Sequence, residues 1–367
     1  MRPLRTLLLF ACSGENATFS YQQAWPRHFQ AHQRFDCTAV NLSERGVVGR
    51  AVNFARVAAW RGDLIVILHS VFSNSQMLGG RFLNLIASLA PPKVFFIGNE
   101  YKLMPEKMAF CDALRLAMLV SQSTSPDVHA LYRQRLGCAV IGIPNTGLDP
   151  SVFFPASDPD TRPIDLGYRA DDVPLYLGHN ERRRLAEFFI EHADRFGLRV
   201  DISLDPAQRL REREWAAFLS RCRGQLGSEA GGDYFSLDDR VRTAVLGYQR
   251  EHRSVTTDEV PARFFEDVEG TVPLRIISGR HVEAAGTKTV QILFEGGYDG
   301  YFSPDVHYIP LRKDFRNADE AMAKFSDRGY CDRIAGNAYE LATRELTYQR
   351  LIDRFAGELD TTLGVAA

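Results

Sequence analysis

The sequence predicts an α/β protein made of two Rossmann-like domains with parallel sheets, joined by a proline-rich linker. Three observations carry this. A chain of 367 residues exceeds one typical domain. Short apolar runs alternate with longer amphipathic ones, which is the pattern of a parallel sheet covered by helices on both faces. The alternation breaks at "FFPASDPDTRP" (153–163), a stretch without periodicity and rich in Pro, Asp and Ser, and then resumes. The domains are accordingly set at residues 1–155 and 164–345. Residues 156–163 form the linker, and a last helix over 346–367 packs back on the junction.

In chain order, "TLLLFAC", "FDCTAVNL", "GDLIVILH", "PKVFFIG", "LAMLVSQ" and "CAVIGIP" read as the strands of the first domain. Between them, "QMLGGRFLNLIASLA" and "SPDVHALYRQRLG" have helical periodicity, and the second opens on Ser-Pro-Asp and stops at Gly. In the second domain "IDLGY" and "VPLYLG" precede the helix "ERRRLAEFFIEHADRFG". The strand "LRVDISL", a helix around Trp215 and Phe218, and the strand "RGQLGSE" follow. Two helical stretches (237–252 and 256–268) lead to "PLRIISGRHVEAAGTKTVQILFEGG" and "VHYIPLRKDF", and three helical segments end the chain.

The net charge of −2 leaves no basic field to hold nucleic acid as the main partner. Six dispersed cysteines, with no C-x-x-C and no histidine pair at ligand spacing, exclude a zinc framework and suit a reducing compartment. The apolar run in "MRPLRTLLLFACSG" is too short for the core of a signal peptide and reads as a first buried strand. No run reaches the length of a spanning helix. A cytoplasmic location is expected, with peripheral contact at the inner face of a membrane left open.

Ligands in open parallel sheets bind beyond the carboxyl ends of the strands. In the first domain those ends carry Ser13-Gly14-Glu15, His69-Ser70 and Asn99-Glu100-Tyr101-Lys102. In the second they carry Tyr168-Arg169, Gly178-His179-Asn180, Gly227 through Gly232, and Glu295-Gly296-Gly297. The adjacent Gly231 and Gly232 in "LGSEAGGD" suit a backbone that approaches phosphate, and Glu229 is a poor turn residue in that position. Alone, the stretch also reads as a plain turn. Gly279 and Gly286 bracket a short helix holding Arg280 and Glu283. Its N-terminus would receive a diphosphate beside Arg280, and Glu283 would take ribose hydroxyls or serve as a cap. Arg169 follows a strand and reads as a phosphate ligand or a loop arginine. The triple arginine 182–184 reads as a solvated face whose first turn can meet phosphate. Asp171-Asp172 and the "DPD" at 158–160 read as loops.

"IPNTGLDPSVFFP", "RHVEAAGTKTVQILFEGG", "FSPDVHYIPLRKDFRNADEAM" and "AYELATRELTYQRLIDRF" resemble segments of group 1 glycosyltransferases of the GT-B fold, of the bacterial polysaccharide and O-antigen type. They are closest in kind to the branch related to the spore-maturation protein CgeB. The resemblance covers the domain junction and most of the second domain. It implies the GT-B architecture, two Rossmann-like domains facing across a cleft, with a nucleotide-sugar donor held by the second domain and a glycan or lipid-linked acceptor by the first. It further implies a hexosyltransferase of bacterial surface polysaccharide synthesis that retains configuration and needs neither metal nor other cofactor. The expected catalytic residues are His69, Glu229 and Arg280. The donor residues are Arg169, Gly231, Gly232, Glu283, Gly296 and Gly297, and the acceptor residues Glu100 and Lys102. His69, Glu100 and Lys102 are expected to line the cleft. Glu283 matches the second glutamate of the family's E-x7-E pair by its "EAAGT" context, whereas Glu229 lies far upstream of the spacing the motif has. The alternatives are a noncatalytic nucleotide- or sugar-binding scaffold derived from such an enzyme, or a GT-B epimerase or phosphorylase. No lysine of the second domain sits in a recognisable pyridoxal context.

Overall fold

A computed structural model describes residues 2–13, 20–43, 46–158, 161–257, 259–265, 268 and 272–364. The strand end at Gly14-Glu15 and the Pro159-Asp160 part of "DPD" lie outside the described residues. The chain divides into two units. Unit 1 comprises Met1–Asn145, Phe235–Arg240 and Tyr348–Ala367; unit 2 comprises Thr146–Tyr234 and Val241–Thr347.

Among the described residues, unit 1 holds strands β1 (Leu4–Phe10), β2 (Phe35–Asn41), β3 (Leu64–Ile67), β4 (Lys93–Phe96), β5 (Met118–Ser121) and β6 (Ala139–Gly142). They form one parallel sheet in the order β2-β1-β3-β4-β5-β6. Its central strands β3, β4 and β5 are buried at every position, which is why the sequence shows them as largely apolar runs, with Lys93 and Ser121 at the ends of β4 and β5. Helices α1 (Ser20–Ala31), α2 (Val47–Ala59), α3 (Gly80–Ser88), α4 (Met104–Leu114) and α5 (Pro126–Leu136) cross between strands. For α5 the end signals hold: the Ser125 hydroxyl accepts from the Val128 N–H, and Gly137 closes the helix at φ +65°. The last helix, α13 (Tyr348–Leu363), belongs to this unit. Its Tyr348 meets Trp25 of α1 at 5.3 Å between ring centroids, and Phe355 meets Phe96 at 5.0 Å.

Unit 2 holds β7 (Ile164–Arg169), α6 (Glu181–Glu191), β8 (Val200–Ser203), α7 (Glu212–Leu219), β9 (Cys222–Gly227) and β10 (Ala230–Gly232). After α8 (Arg240–Glu251) and α9 (Glu259–Phe264) come β11 (Leu274–Ile276), α10 (Gly279–Gly286), β12 (Val290–Phe294), β13 (Ile309–Leu311), α11 (Ala318–Ser326) and α12 (Arg328–Glu345). Five strands make a parallel sheet, β13-β12-β9-β7-β8, while β10 and β11 pair apart from it as an antiparallel ribbon. Strand order reverses at β1/β3 in unit 1 and at β7/β9 in unit 2. In open α/β sheets, that is where ligands sit.

Three local expectations change. "VPLYLG" is no strand: Pro174 precedes a 3-10 turn over Leu175–Leu177, and Gly178 leaves it at φ +86°. The chain changes unit between Asn145 and Thr146 instead of at 155. Packing explains it: the Leu148 N–H donates to the Leu346 carbonyl at 2.7 Å, and Leu148 and Phe153 lie against Gly286 of α10. The glycine-rich turn after β9 is the β10 arm of the ribbon. Among the described residues no helix is long and apolar enough to cross a membrane.

Candidate functional site

At the reversal point of the unit 2 sheet, β7 ends in Tyr168-Arg169 and β9 runs into Ser228-Glu229. Glu229 is buried, and its Oε1 accepts the Tyr298 N–H at 2.7 Å. Its Oε2 lies so close to Gly296 that a Cβ there would stand 2.5 Å from it. The turn "EGG" after β12 therefore cradles the Glu229 carboxyl, so Glu229, Gly296 and Gly297 come together. Burial pushes this carboxyl above the usual range, against the pull of the Tyr298 N–H, Arg275 and Lys313.

Beside it lies a charge cluster that local sequence does not reveal. Arg275 of β11 and Lys313, just past β13, both pair with Glu181 at the start of α6, at 3.2 and 2.6 Å. Arg275 also pairs with Asp233. Burial alone would raise the Glu181 carboxyl, but these cations outweigh it and hold it low. His179 bonds through Nε2 to the Gly231 carbonyl at 3.1 Å, and burial keeps it neutral, with a pKa of about 4.

Arg280, in the first turn of α10, differs from these arginines. It is partly buried, and among the described residues its guanidinium has no hydrogen-bond or ion-pair partner. Burial, then the positive charge of Arg182 in the first turn of α6, lowers its pKa to about 10, so it stays charged at neutral pH. Arg182 has a buried Nε without a partner, as do the Tyr168 hydroxyl, Gln225 Oε1 and the Ser228 hydroxyl. Arg182 spends one terminal N–H on the Asp171 carbonyl at 3.3 Å, and its charge together with that of Arg280, beside buried polar atoms without partners, suits an anionic ligand. The neighbouring Arg183 and Arg184 are spent elsewhere, on Asp172 and on the Lys313 carbonyl.

Several expected roles change. The cap of α10 is Ser278 with His281, not Glu283, and His281 is buried and neutral with a pKa of about 3. Glu283 lies on the same helix as Arg280, yet its Oε2 accepts Trp215 Nε1 at 2.8 Å in a buried setting, so the carboxylate expected at a ribose anchors α7. Arg169 is tied to Asp201 at 2.6 Å and to two backbone carbonyls, with its guanidinium over the Phe218 ring. Gly231 and Gly232 pair with Arg275 and Leu274 across the ribbon instead of forming an open phosphate turn. Asp171 is paired with Arg209. Among the described residues no cluster of three potential metal ligands occurs.

In unit 1 two of the expected cleft residues, His69 and Glu100, lie inside the unit, and Lys102 is partly buried. His69 is 2% exposed, among Trp25 at 5.7 Å, Phe96 at 5.4 Å and Tyr21 at 6.2 Å between ring centroids. Burial drives its pKa to about 3, so it is a neutral core histidine. Glu100 is also 2% exposed, and it accepts from Tyr132 Oη at 2.7 Å, Ser121 Oγ at 2.8 Å and the Gln122 N–H at 2.6 Å. Three donors around one carboxylate make it a structural hub tying β4, β5 and α5 together, not an acceptor ligand. Lys102 is partly buried with Nζ over the Tyr101 ring, and its carbonyl, with those of Gly98 and Asn99, receives the ammonium of the fully buried Lys107. Sequence reading passed over Lys107, Tyr132, Arg275 and His281; their partners lie on other turns or other strands.

Tyr132→Phe is expected to lower stability by about 1–3 kcal/mol at neutral pH, since it strips one donor from a buried carboxylate. Burial raises the Glu100 pKa while the Tyr132 hydroxyl pulls it down, so removing the hydroxyl raises it further. A raised carboxyl contributes stability at low pH that is lost as pH rises through the folded pKa. The gap between wild type and variant should thus be smallest below the usual carboxylate range and widen above it. Denaturant titrations across pH read this, and a pH-independent gap counts against an ionised Glu100.

No protein-family model matches the chain, and no curated protein does. Solved structures do. Sucrose-phosphate synthase from Thermosynechococcus elongatus aligns with a TM-score of 0.55 at 10% identity, covering 99% of this chain and 100% of that one. An α-glucosyltransferase in complex with UDP aligns at 0.53 and 10%, covering 96% and 99%. Anabaena HepE in complex with UDP-glucose aligns at 0.52 and 12%, covering 98% and 100%. The two parallel sheets with alternating helices are those of the GT-B fold, the architecture of glycosyltransferases. At these identities the likeness is one of fold.

Proposed function

We propose that this chain is a glycosyltransferase that moves a sugar from a nucleoside-diphosphate donor to a saccharide or lipid-linked acceptor. The observation that carries the reading is Arg280: a charged, unpartnered guanidinium on the first turn of α10, opposite Arg182, at the sheet's reversal point. A diphosphate matches the positive charge of Arg280 and Arg182, and the helix N-terminus adds its own partial positive charge. The complexes of HepE with UDP-glucose and of the α-glucosyltransferase with UDP support a nucleotide-sugar as the ligand class. When the bond between the sugar carbon and the phosphate oxygen breaks, its electron pair stays on the diphosphate. Arg280 and Arg182 meet that charge with no metal required, because both are fixed before it develops. The finer reading, carried by the "EAAGT" resemblance, is a hexosyltransferase of the CgeB-related branch that retains configuration and serves bacterial surface polysaccharide synthesis.

Calorimetric titration with UDP, GDP, dTDP and CMP tests the site. At least one diphosphate is expected to bind, to add about 2.7 kcal/mol of stability at a hundredfold excess over Kd, and so to raise the melting temperature. No binding of any nucleoside diphosphate would remove the proposal. The scaffold reading draws on Glu229, whose carboxyl is held by the Tyr298 N–H and the glycine turn. Tight diphosphate binding with neither transfer nor hydrolysis of any donor sugar would favour it.

A further inference from the structure

Helix α2 wears its amphipathic pattern inside out. The residues turned to the sheet are Asn53 and Val57, and the Asn53 amide donates to the Asn41 carbonyl at the end of β2, at 3.1 Å. The opposite arc is apolar and open to solvent. Val47 and Val48 are each 76% exposed, Val52 51% and Phe54 38%, with Ala51 and Ala55 exposed between them. Arg50 and Arg56 lie three residues to either side of Asn53, which on a 3.6-residue helix sets them about 60° to its two flanks. They border the apolar arc on both sides. The patch continues onto α3, where Phe82 meets Phe54 at 5.8 Å, Met77 before the helix is 42% exposed, and Arg81 is exposed.

Charge in this region is one-sided. Between Glu44 and Glu100 the sequence has one acidic residue, Asp63, against Arg45, Arg50, Arg56, Arg61, Arg81 and Lys93, although the whole chain carries a net −2. Asp63 is taken by Arg5. Among the described residues Arg50, Arg56 and Arg81 form no ion pair.

We propose that α2 and the start of α3 form a docking surface for an anionic lipid bilayer. The valines and Phe54 enter the acyl boundary, and Arg50, Arg56 and Arg81 meet headgroup phosphates. An apolar arc edged by cations and free of acids fits that surface. It fits a second copy badly, because a twofold contact would set the same arginines against each other, and among the described residues α2 and α3 carry no carboxylate to answer them. The proposal stands independently of the sugar-transfer reading.

Flotation of the full chain tests it, without nucleotide, on vesicles of phosphatidylcholine mixed with phosphatidylglycerol and on phosphatidylcholine alone. The chain is expected to float with the mixed vesicles and to partition at least about tenfold less onto the neutral ones, or onto mixed ones in high salt. The double variant Val48→Glu/Val52→Glu should lose flotation. Arg50→Gln/Arg56→Gln should lose the preference for anionic lipid. All four positions are exposed, so melting temperatures should stay at the wild-type value and exclude misfolding as the cause. No flotation with mixed vesicles overturns the proposal, as does flotation unchanged in both variants. So does a dimer in sedimentation velocity that Val48→Glu/Val52→Glu dissolves while lipid binding is absent. None of these outcomes touches the nucleotide titration, so the two readings fail separately.

Discussion

Arg280→Ala is expected to lower the single-turnover transfer rate by about a hundred- to a thousandfold, the scale seen on removing one preorganised donor from a developing charge. Affinity for the bound diphosphate should fall much less, by about tenfold, the worth of one charge-assisted contact. The asymmetry follows from where the charge goes. A donor sugar already carries a charged diphosphate, which Arg280 meets in the ground state; departure adds charge there, and Arg280 meets that too. An interaction that strengthens along the reaction appears in kcat beyond what it contributes to binding. With a pKa of about 10 the guanidinium is charged throughout the neutral range, so the loss should not depend on pH between 6 and about 8. Calorimetry beside single-turnover assays checks both halves. Unchanged affinity with an unchanged rate would take α10 out of the site.

Gly231→Ala should be the most damaging single-atom change in unit 2. Its φ of +91° is one that L side chains rarely adopt, and a Cβ would overlap the Leu274 carbonyl across the ribbon. Positive-φ strain and overpacking each cost about 1–3 kcal/mol, so a melting-temperature drop of several degrees is expected. The ribbon also brings Arg275 to Glu181, and the Gly231 carbonyl holds His179. Opening it should therefore weaken nucleotide binding along with the fold. Gly247→Ala in α8 is the control: nothing lies within 4 Å of a Cβ there, and alanine in a helix interior gains about 0.5–1 kcal/mol over glycine. Equal melting points for the two variants would sink the ribbon argument.

Strands β3, β4 and β5 could be read from sequence because burial at every position leaves largely apolar runs. Helices α1, α2 and α4 could not. Pro26 sits inside α1, α2 turns its apolar arc outward, and α4 has buried residues around much of its circumference. "VPLYLG" misled because a buried 3-10 turn and a short strand share a composition. In the site, Arg280 stood out because glycines bracket its helix. His69 and Glu100 were misread because a strand end says where the backbone stops, not which way the side chain turns. The Glu181–Arg275 pair joins residues 94 apart in sequence, and no local pattern encodes such a contact.

The ribbon has a bearing on how this chain should be aligned with others. Gly232 and Leu274 are opposed across it, so residues 233–273 depart and return at one point of the fold. Doubling the length of such an excursion costs only about 0.6 kcal/mol in closure entropy. Its size can drift through insertion and deletion while Glu229 and α10 keep their places. The long stretch of sequence between Glu229 and Glu283 is thus filled by an excursion that leaves and rejoins the fold at the ribbon. A search that fixes their spacing will pass this chain by, whereas one that matches strand order will find it.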